Sequence, residues 1–126
     1  MSQEFFVMDE ADSVLIVSLQ GTSLKHPYET LAKEYEAVSE RLSEESTRGL
    51  VLDLGAADWI DSGLVGLLVR MTTRIRGRGH DAVICAVPPL LAETLRGLML
   101  IEDEQVQRFW RAFRTREQAL AAFDDE

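Results

Sequence analysis

Reactive side chains are scarce in this sequence. It has one cysteine among 126 residues, so no intrachain disulfide can form. Cys85 lies in the apolar run A-V-I-C-A-V, which reads as a small buried hydrophobe rather than a reactive thiol. The two histidines, His26 and His80, stand far apart beside turn signals, with no cysteine or histidine at ligand spacing. That pattern argues against a metal site, and no cofactor is expected. The motifs G-x-S-x-G, G-x-x-x-x-G-K-[ST] and G-x-G-x-x-G are all missing. R-G-R-G-H (76–80) does hold two glycines, but it follows a helical pattern and precedes a strand pattern, so it reads as a helix stop and not a phosphate cradle. No apolar run approaches the ~20 residues that span a bilayer, and no basic-then-apolar signal segment opens the chain. With a single cysteine, a reducing cytoplasm is the expected setting.

Positive charge is also in the minority, with 13 basic residues against 22 acidic and a formal net charge of −9. Such a surface repels phosphate backbones and anionic lipid, so neither nucleic acid nor membrane is expected as a partner. It suits a protein partner with a basic patch.

The sequence does contain a core. Hydrophobic residues make up 46% of the chain, enough to fold without a disulfide or metal staple. The length suits a single domain over 1–126, with flexible ends at about 1–3 and 124–126. Glu4–Met8 and Val14–Leu19 read as strands around a turn at 9–13, and Gly21, Thr22 and Ser23 then break the pattern. Pro27 opens a helix whose apolar stripe is Leu31, Tyr35, Val38 and Leu42, with Glu34, Glu36, Glu40 and Arg41 outside it. Leu50–Leu54 is the next strand. A helix after Ser62 carries Leu64, Leu67, Leu68, Met71 and Ile75 on one face. Ala82–Val87 is an apolar strand, read with Leu50–Leu54 as central. Pro88 and Pro89 start a helix with Leu91, Leu95 and Leu98 on one side, Val106–Trp110 is a weak last strand, and Thr115 with Gln118 forms a capping box for a helix over Arg116–Phe123. Strands alternating with helices predict an α/β fold, a mixed but mostly parallel sheet of four to five strands covered by about four helices.

Chemistry concentrates at one junction, D-W-I-D-S-G-L-V-G-L-L-V (58–69), between the strand at V-L-D-L and the following helix. Asp53, Asp58 and Asp61 cluster in sequence near that strand end. Carboxylates there commonly cap a helix or satisfy loop amides; the alternative of an acid–base pair in Asp58 and Asp61 lacks a second functional cluster. Trp59 is read as packing into the core. Ser62 has two readings on local grounds. As an N-cap its hydroxyl would accept the Leu64 or Val65 amide and do nothing more. As a phosphorylation site it would sit at the positive end of the helix dipole, and a phosphate would bring nearly two charges to a patch already holding Asp58 and Asp61.

V-L-D-L (51–54), I-D-S (60–62) and G-L-L (66–68) together resemble the signature of the STAS domain, shared by bacterial anti-sigma factor antagonists and the tails of sulfate transporters. V-L-I-V-S-L-Q-G, G-H-D-A-V-I-C-A-V, L-x₃-L-R-G-L and F-R-T-R-E-Q-A-L-A-A-F extend the likeness over nearly the whole chain, in the family's order. The resemblance implies a partner-switching regulator. Its unphosphorylated form binds an anti-sigma factor that is also a serine kinase; phosphorylation of the serine after the aspartate, here Ser62 after Asp61, dissociates the pair, and a PP2C-type phosphatase resets it. It implies a partner surface of Asp58, Trp59, Asp61, Ser62 and Gly63 with Gly21 and Thr22, and no enzymatic activity; a homodimer stays open. The alternative is a STAS scaffold within a larger signalling assembly, with Ser62 only a helix cap. The antagonists usually read D-S-[ST]-G-L-G where this chain has D-S-G-L-V-G, which predicts a loop less open to a kinase. The chain leads from Gly21 into T-S-L-K where the family commonly has an aspartate, and the proline and tyrosine that open the following stretch are read as serving a different partner.

Overall fold

A two-residue turn starts the sheet. Strand β1 (Phe6–Ala11) runs antiparallel to β2 (Val14–Leu19), in register from Phe6 opposite Leu19 to Ala11 opposite Val14. The linking residues Asp12 and Ser13 have φ of 49° and 71°, the paired left-handed conformations of a tight hairpin. The sequence reading ended this strand at Met8 and gave Asp9 and Glu10 to the turn. They continue the strand because β1 is an edge, where its solvent face carries charge. The computed structural model describes residues 5–22, 27–59, 61–98, 100–101 and 109–123. The expected flexible ends, the Glu4 start of the first strand, Ser23, His26 and most of the Val106–Trp110 strand lie outside the described residues.

After β2 come β3 (Gly21–Thr22), α1 (Tyr28–Leu42), β4 (Gly49–Asp53), β5 (Ala57–Trp59), α2 (Ser62–Gly77), β6 (Ala82–Cys85), α3 (Pro89–Gly97), β7 (Ala112–Phe113) and α4 (Arg116–Ala121). The five-stranded sheet has the order β1-β2-β4-β6-β7, parallel from β2 onward. The expected mixed, mostly parallel sheet with four helices is therefore present. Val51 and Ile84 are fully buried in interior strands, as the central placement of their segments requires. The last strand falls at Ala112–Phe113, beyond the expected segment; within that segment Trp110 makes only an isolated bridge to Ile101. The short pair β3–β5 was not foreseen.

Because the strand order advances in one direction, right-handed crossovers place α1, α2 and α3 on the same face. Leu50, Leu52 and Ile84 point to that face and pack with Leu31, Val38, Leu64, Leu68, Leu91 and Leu95. Val51, Val83 and Cys85 point the other way, toward Ala119 of α4. All five apolar positions predicted for α2 are buried. Leu98 is not: it caps the end of α3, past the last helical residue, and is 52% exposed. The α4 cap is as expected, with Gln118 N donating to Thr115 Oγ1 at 3.1 Å, although Gln118 Oε1 reaches back to the amide of Arg114. The helix ends at Ala121, short of Phe123.

Glu34 corrects the α1 assignment. Read as outside the stripe, it is only 6% exposed, and its Oε1 accepts the amides of Phe5 and Phe6, each at 2.9 Å. The carboxylate thus fastens α1 to the start of β1.

Two predictions arise from packing. Burial, with a smaller push from Asp53, raises the Cys85 thiol from 9.0 to about 12. The raised value means that Cys85 contributes stability fully below pH 9.0, lost as pH rises toward about 12 because the unfolded chain ionises first. Replacing Cys85 by alanine should flatten stability across that window, measured by urea denaturation at stepped pH. Gly49 faces the Phe123 ring, and a Cβ there would stand 2.7 Å from Phe123 Cε1, so the ring would have to shift. Gly49→Ala should cost roughly 1–3 kcal/mol, while Gly66→Ala, in an open position within α2, should be neutral or gain up to about 1 kcal/mol.

Candidate functional site

The junction is assembled from the ends of two adjacent parallel strands. After β4 the chain turns at Gly55, whose amide donates to Asp53 Oδ1 at 2.9 Å. It then runs as β5 beside β3, with Gly21 opposite Ala57 and Thr22 opposite Trp59. Gly21 donates its amide to Ala56 O at 2.8 Å and has φ of +80°, a conformation that favours glycine. The Gly21–Thr22 and Asp58–Trp59 backbones, far apart in sequence, are thereby brought side by side. The side chains of Thr22 and Trp59, and with them the expectation that Trp59 packs into the core, lie outside the described residues, as does Ile60.

Asp61 precedes α2 in an extended conformation, φ −110° and ψ 177°, and its Oδ1 accepts the Leu64 amide at 2.8 Å. Asp61 is therefore the N-cap, and its own carbonyl accepts the Val65 amide at 3.0 Å. Ser62 is the first helical residue, not the cap that the local reading allowed. Either side chain could have served; the backbone turns helical at Ser62, so the acceptor one position earlier takes the task. Ser62 is exposed, and its hydroxyl has no hydrogen-bond partner among the described residues. The amides of Ser62 and Gly63 have no intrahelical acceptor, as in any first turn. In the D-S-G-L-V-G segment, read as less open to a kinase, and just before it, Asp58, Asp61, Ser62 and Gly63 are all exposed.

One neighbour was missed. A Cβ on Gly63 would lie 3.6 Å from Cε2 and 3.7 Å from Cδ2 of Tyr28, so the Tyr28 ring flanks the start of α2. Tyr28 opens α1, is 54% exposed and belongs to the same surface as Ser62. The sequence reading assigned it to another partner because nothing local signals that two helix starts adjoin.

The sequence model of the STAS domain matches residues 6–119. The chain belongs to the STAS domain family. Solved structures share its fold. An anti-sigma-factor antagonist (STAS) domain protein from Planctomyces limnophilus has TM-score 0.75 and 19% identity, with 96% of this chain and 99% of that chain covered. An anti-sigma factor antagonist from Mycobacterium paratuberculosis has TM-score 0.75 and 20% identity, covering 95% and 93%. The phosphorylated form of the Bacillus cell fate determinant SpoIIAA has TM-score 0.71 and 13% identity, covering 94% and 98%. No helix among the described residues is long and apolar enough to cross a membrane.

In this STAS domain the three aspartates near the strand end do not converge. Asp53 lies on the α4 face, where its Oδ2 accepts Arg116 Nε at 3.0 Å. Arg116 also donates to Ser18 Oγ at 2.8 Å, tying the ends of β2 and β4 to α4. Asp61 is engaged as a cap, and Asp58 stands exposed on β5. The expected acidic cluster is thus divided between a structural clip, a cap and one exposed carboxylate with no partner among the described residues.

Proposed function

We propose that this STAS domain is an anti-sigma factor antagonist-like regulator, a binding module rather than an enzyme, working in the cytoplasm. In its unphosphorylated form it binds an anti-sigma factor that is also a serine kinase, and phosphorylation at Ser62 releases that partner. A PP2C-type phosphatase restores the unphosphorylated form. The observation carrying this reading is the division of labour at the start of α2: Asp61 caps the helix, which leaves the Ser62 hydroxyl exposed and without a hydrogen-bond partner among the described residues. The scaffold alternative, read with Ser62 only as a helix cap, draws no support from the cap itself, which is Asp61.

Physical chemistry supports a switch here. A phosphate on Ser62 would meet the positive end of α2, so the fold would tolerate it. It would add nearly two negative charges beside Asp58 and Asp61, converting a neutral contact into a bulky anionic one. The partner surface comprises Asp58, Trp59, Asp61, Ser62 and Gly63 with Gly21 and Thr22; Tyr28 extends it. Among proteins of this fold, SpoIIAA has been solved in both unphosphorylated and phosphorylated forms.

The test is incubation with the cognate kinase and ATP, followed by mass spectrometry. The expected product carries one phosphate, at Ser62, and Ser62→Ala carries none. Phosphate at any other residue, or none at all in the presence of an active kinase, would remove Ser62 as the switch.

A further inference from the structure

A cleft of 280 Å³ opens between α3 and the end of β7, at the edge of the sheet opposite the β1–β2 hairpin. Ala86, Val87, Ala92 and Ile101 supply apolar wall, and Arg96 and Arg114 also line it. The local sequence explains the opening. Ala86 takes φ of 54° at the end of β6, bends the chain out of the sheet and donates its amide to Phe113 O at 3.0 Å. The prolines at 88 and 89 then start α3 at once. Ala92, small and largely buried, leaves space where a longer side chain would fill it, and Arg96 follows one turn later on the same helix face.

Two cations stand beside the apolar wall of this cleft. The chain has 22 acidic and only 13 basic residues. Arg41, Arg76, Arg111 and Arg116 each pair with a carboxylate. Arg74 donates to Ser43, and Arg78 to the carbonyls of Leu42 and Thr47. The guanidinium groups of Arg96 and Arg114 have no ion-pair or hydrogen-bond partner among the described residues. Lys33, Arg48 and Arg70 are also unpaired among the described residues, but Arg96 and Arg114 are the two that line one cleft together with apolar side chains. Both arginines are exposed, and the fork of N–H donors on a guanidinium suits a planar or tetrahedral anion held against the apolar wall beside it.

We propose that this cleft binds a small amphiphilic anion, its apolar body against Ala86, Val87, Ala92 and Ile101 and its carboxylate or phosphate between Arg96 and Arg114. The volume lies just under the roughly 300 Å³ at which small-molecule sites begin, so the ligand is small. The site does not depend on the switch at Ser62.

The test is an NMR titration of the ¹⁵N-labelled chain with octanoate and with phenyl phosphate, against octan-1-ol and inorganic phosphate. Saturable shifts at the amides of Ala86 and Ala92 are expected with at least one organic anion, and which of them binds assigns the head group. Octan-1-ol and inorganic phosphate should bind at least about tenfold more weakly, each lacking half of the recognition. The pair Arg96→Glu with Arg114→Glu should weaken binding by at least about tenfold with the rest of the spectrum unchanged; Arg96→Gln with Arg114→Gln serves if the charge reversal disturbs folding. Ala92→Leu should block the cleft. Failure of both organic anions to saturate, equal binding of octan-1-ol, or undiminished binding by the arginine variants would overturn the proposal.

Discussion

Glu34→Ala should lower the stability of this domain by roughly 2–5 kcal/mol, more than a single surface truncation can. The side chain is nearly inaccessible, and one of its carboxylate oxygens accepts two amides, those of Phe5 and Phe6, at 2.9 Å each. Both phenylalanines are fully buried and stand edge to face with ring centroids 5.2 Å apart, so their amides cannot turn to water when the acceptor goes. Each amide that loses a buried acceptor costs about 1–3 kcal/mol. Glu34→Gln keeps an oxygen in place but gives up the charge, which roughly halves the strength of each bond, so it should cost clearly less than alanine. Urea denaturation with an unchanged m-value checks the order wild type, Gln, Ala. An alanine variant within about 0.5 kcal/mol of wild type would show that α1 is not anchored to β1 through this carboxylate.

Glu34 also marks where the sequence stopped being legible. It lies between Leu31 and Val38 at helical spacing, on the buried stripe itself, where carboxylates seldom belong. The apolar faces of α1 and α2 and the interior strands β4 and β6 were readable because their periodicity is strong and burial alone decides it. Boundaries set by exposure were not: Asp9 and Glu10 resemble turn residues but form the solvent side of an edge strand. Contacts between distant segments were also hidden. Nothing local in Gly21–Thr22 points to Asp58–Trp59, and nothing in Tyr28 points to Gly63, yet both pairs shape the site. The choice between Asp61 and Ser62 as cap rested on one backbone angle that two adjacent good capping residues leave undetermined.

That choice makes the switch separable from the cap by mutation. Ser62→Ala should keep stability within about 0.5 kcal/mol, because the hydroxyl supports nothing in the described structure and alanine is a good helix former. Asp61→Ala should cost about 1 kcal/mol through loss of the bond to Leu64, and Asp61→Ser should recover most of it. Binding should follow the other residue. Ser62→Asp places a carboxylate in the first turn of α2, where the dipole welcomes it, so the fold should hold. The same carboxylate stands beside Asp61 on the partner face, and should weaken the kinase complex by about 1–3 kcal/mol, or roughly 5- to 150-fold. Ser62→Ala should bind as wild type while accepting no phosphate. Calorimetric titration of each variant with the kinase, alongside its denaturation curve, reads both effects. A stability loss of about 1 kcal/mol in Ser62→Ala would mean that the hydroxyl caps the helix in solution. Wild-type affinity in Ser62→Asp would mean that charge at this position does not govern the complex.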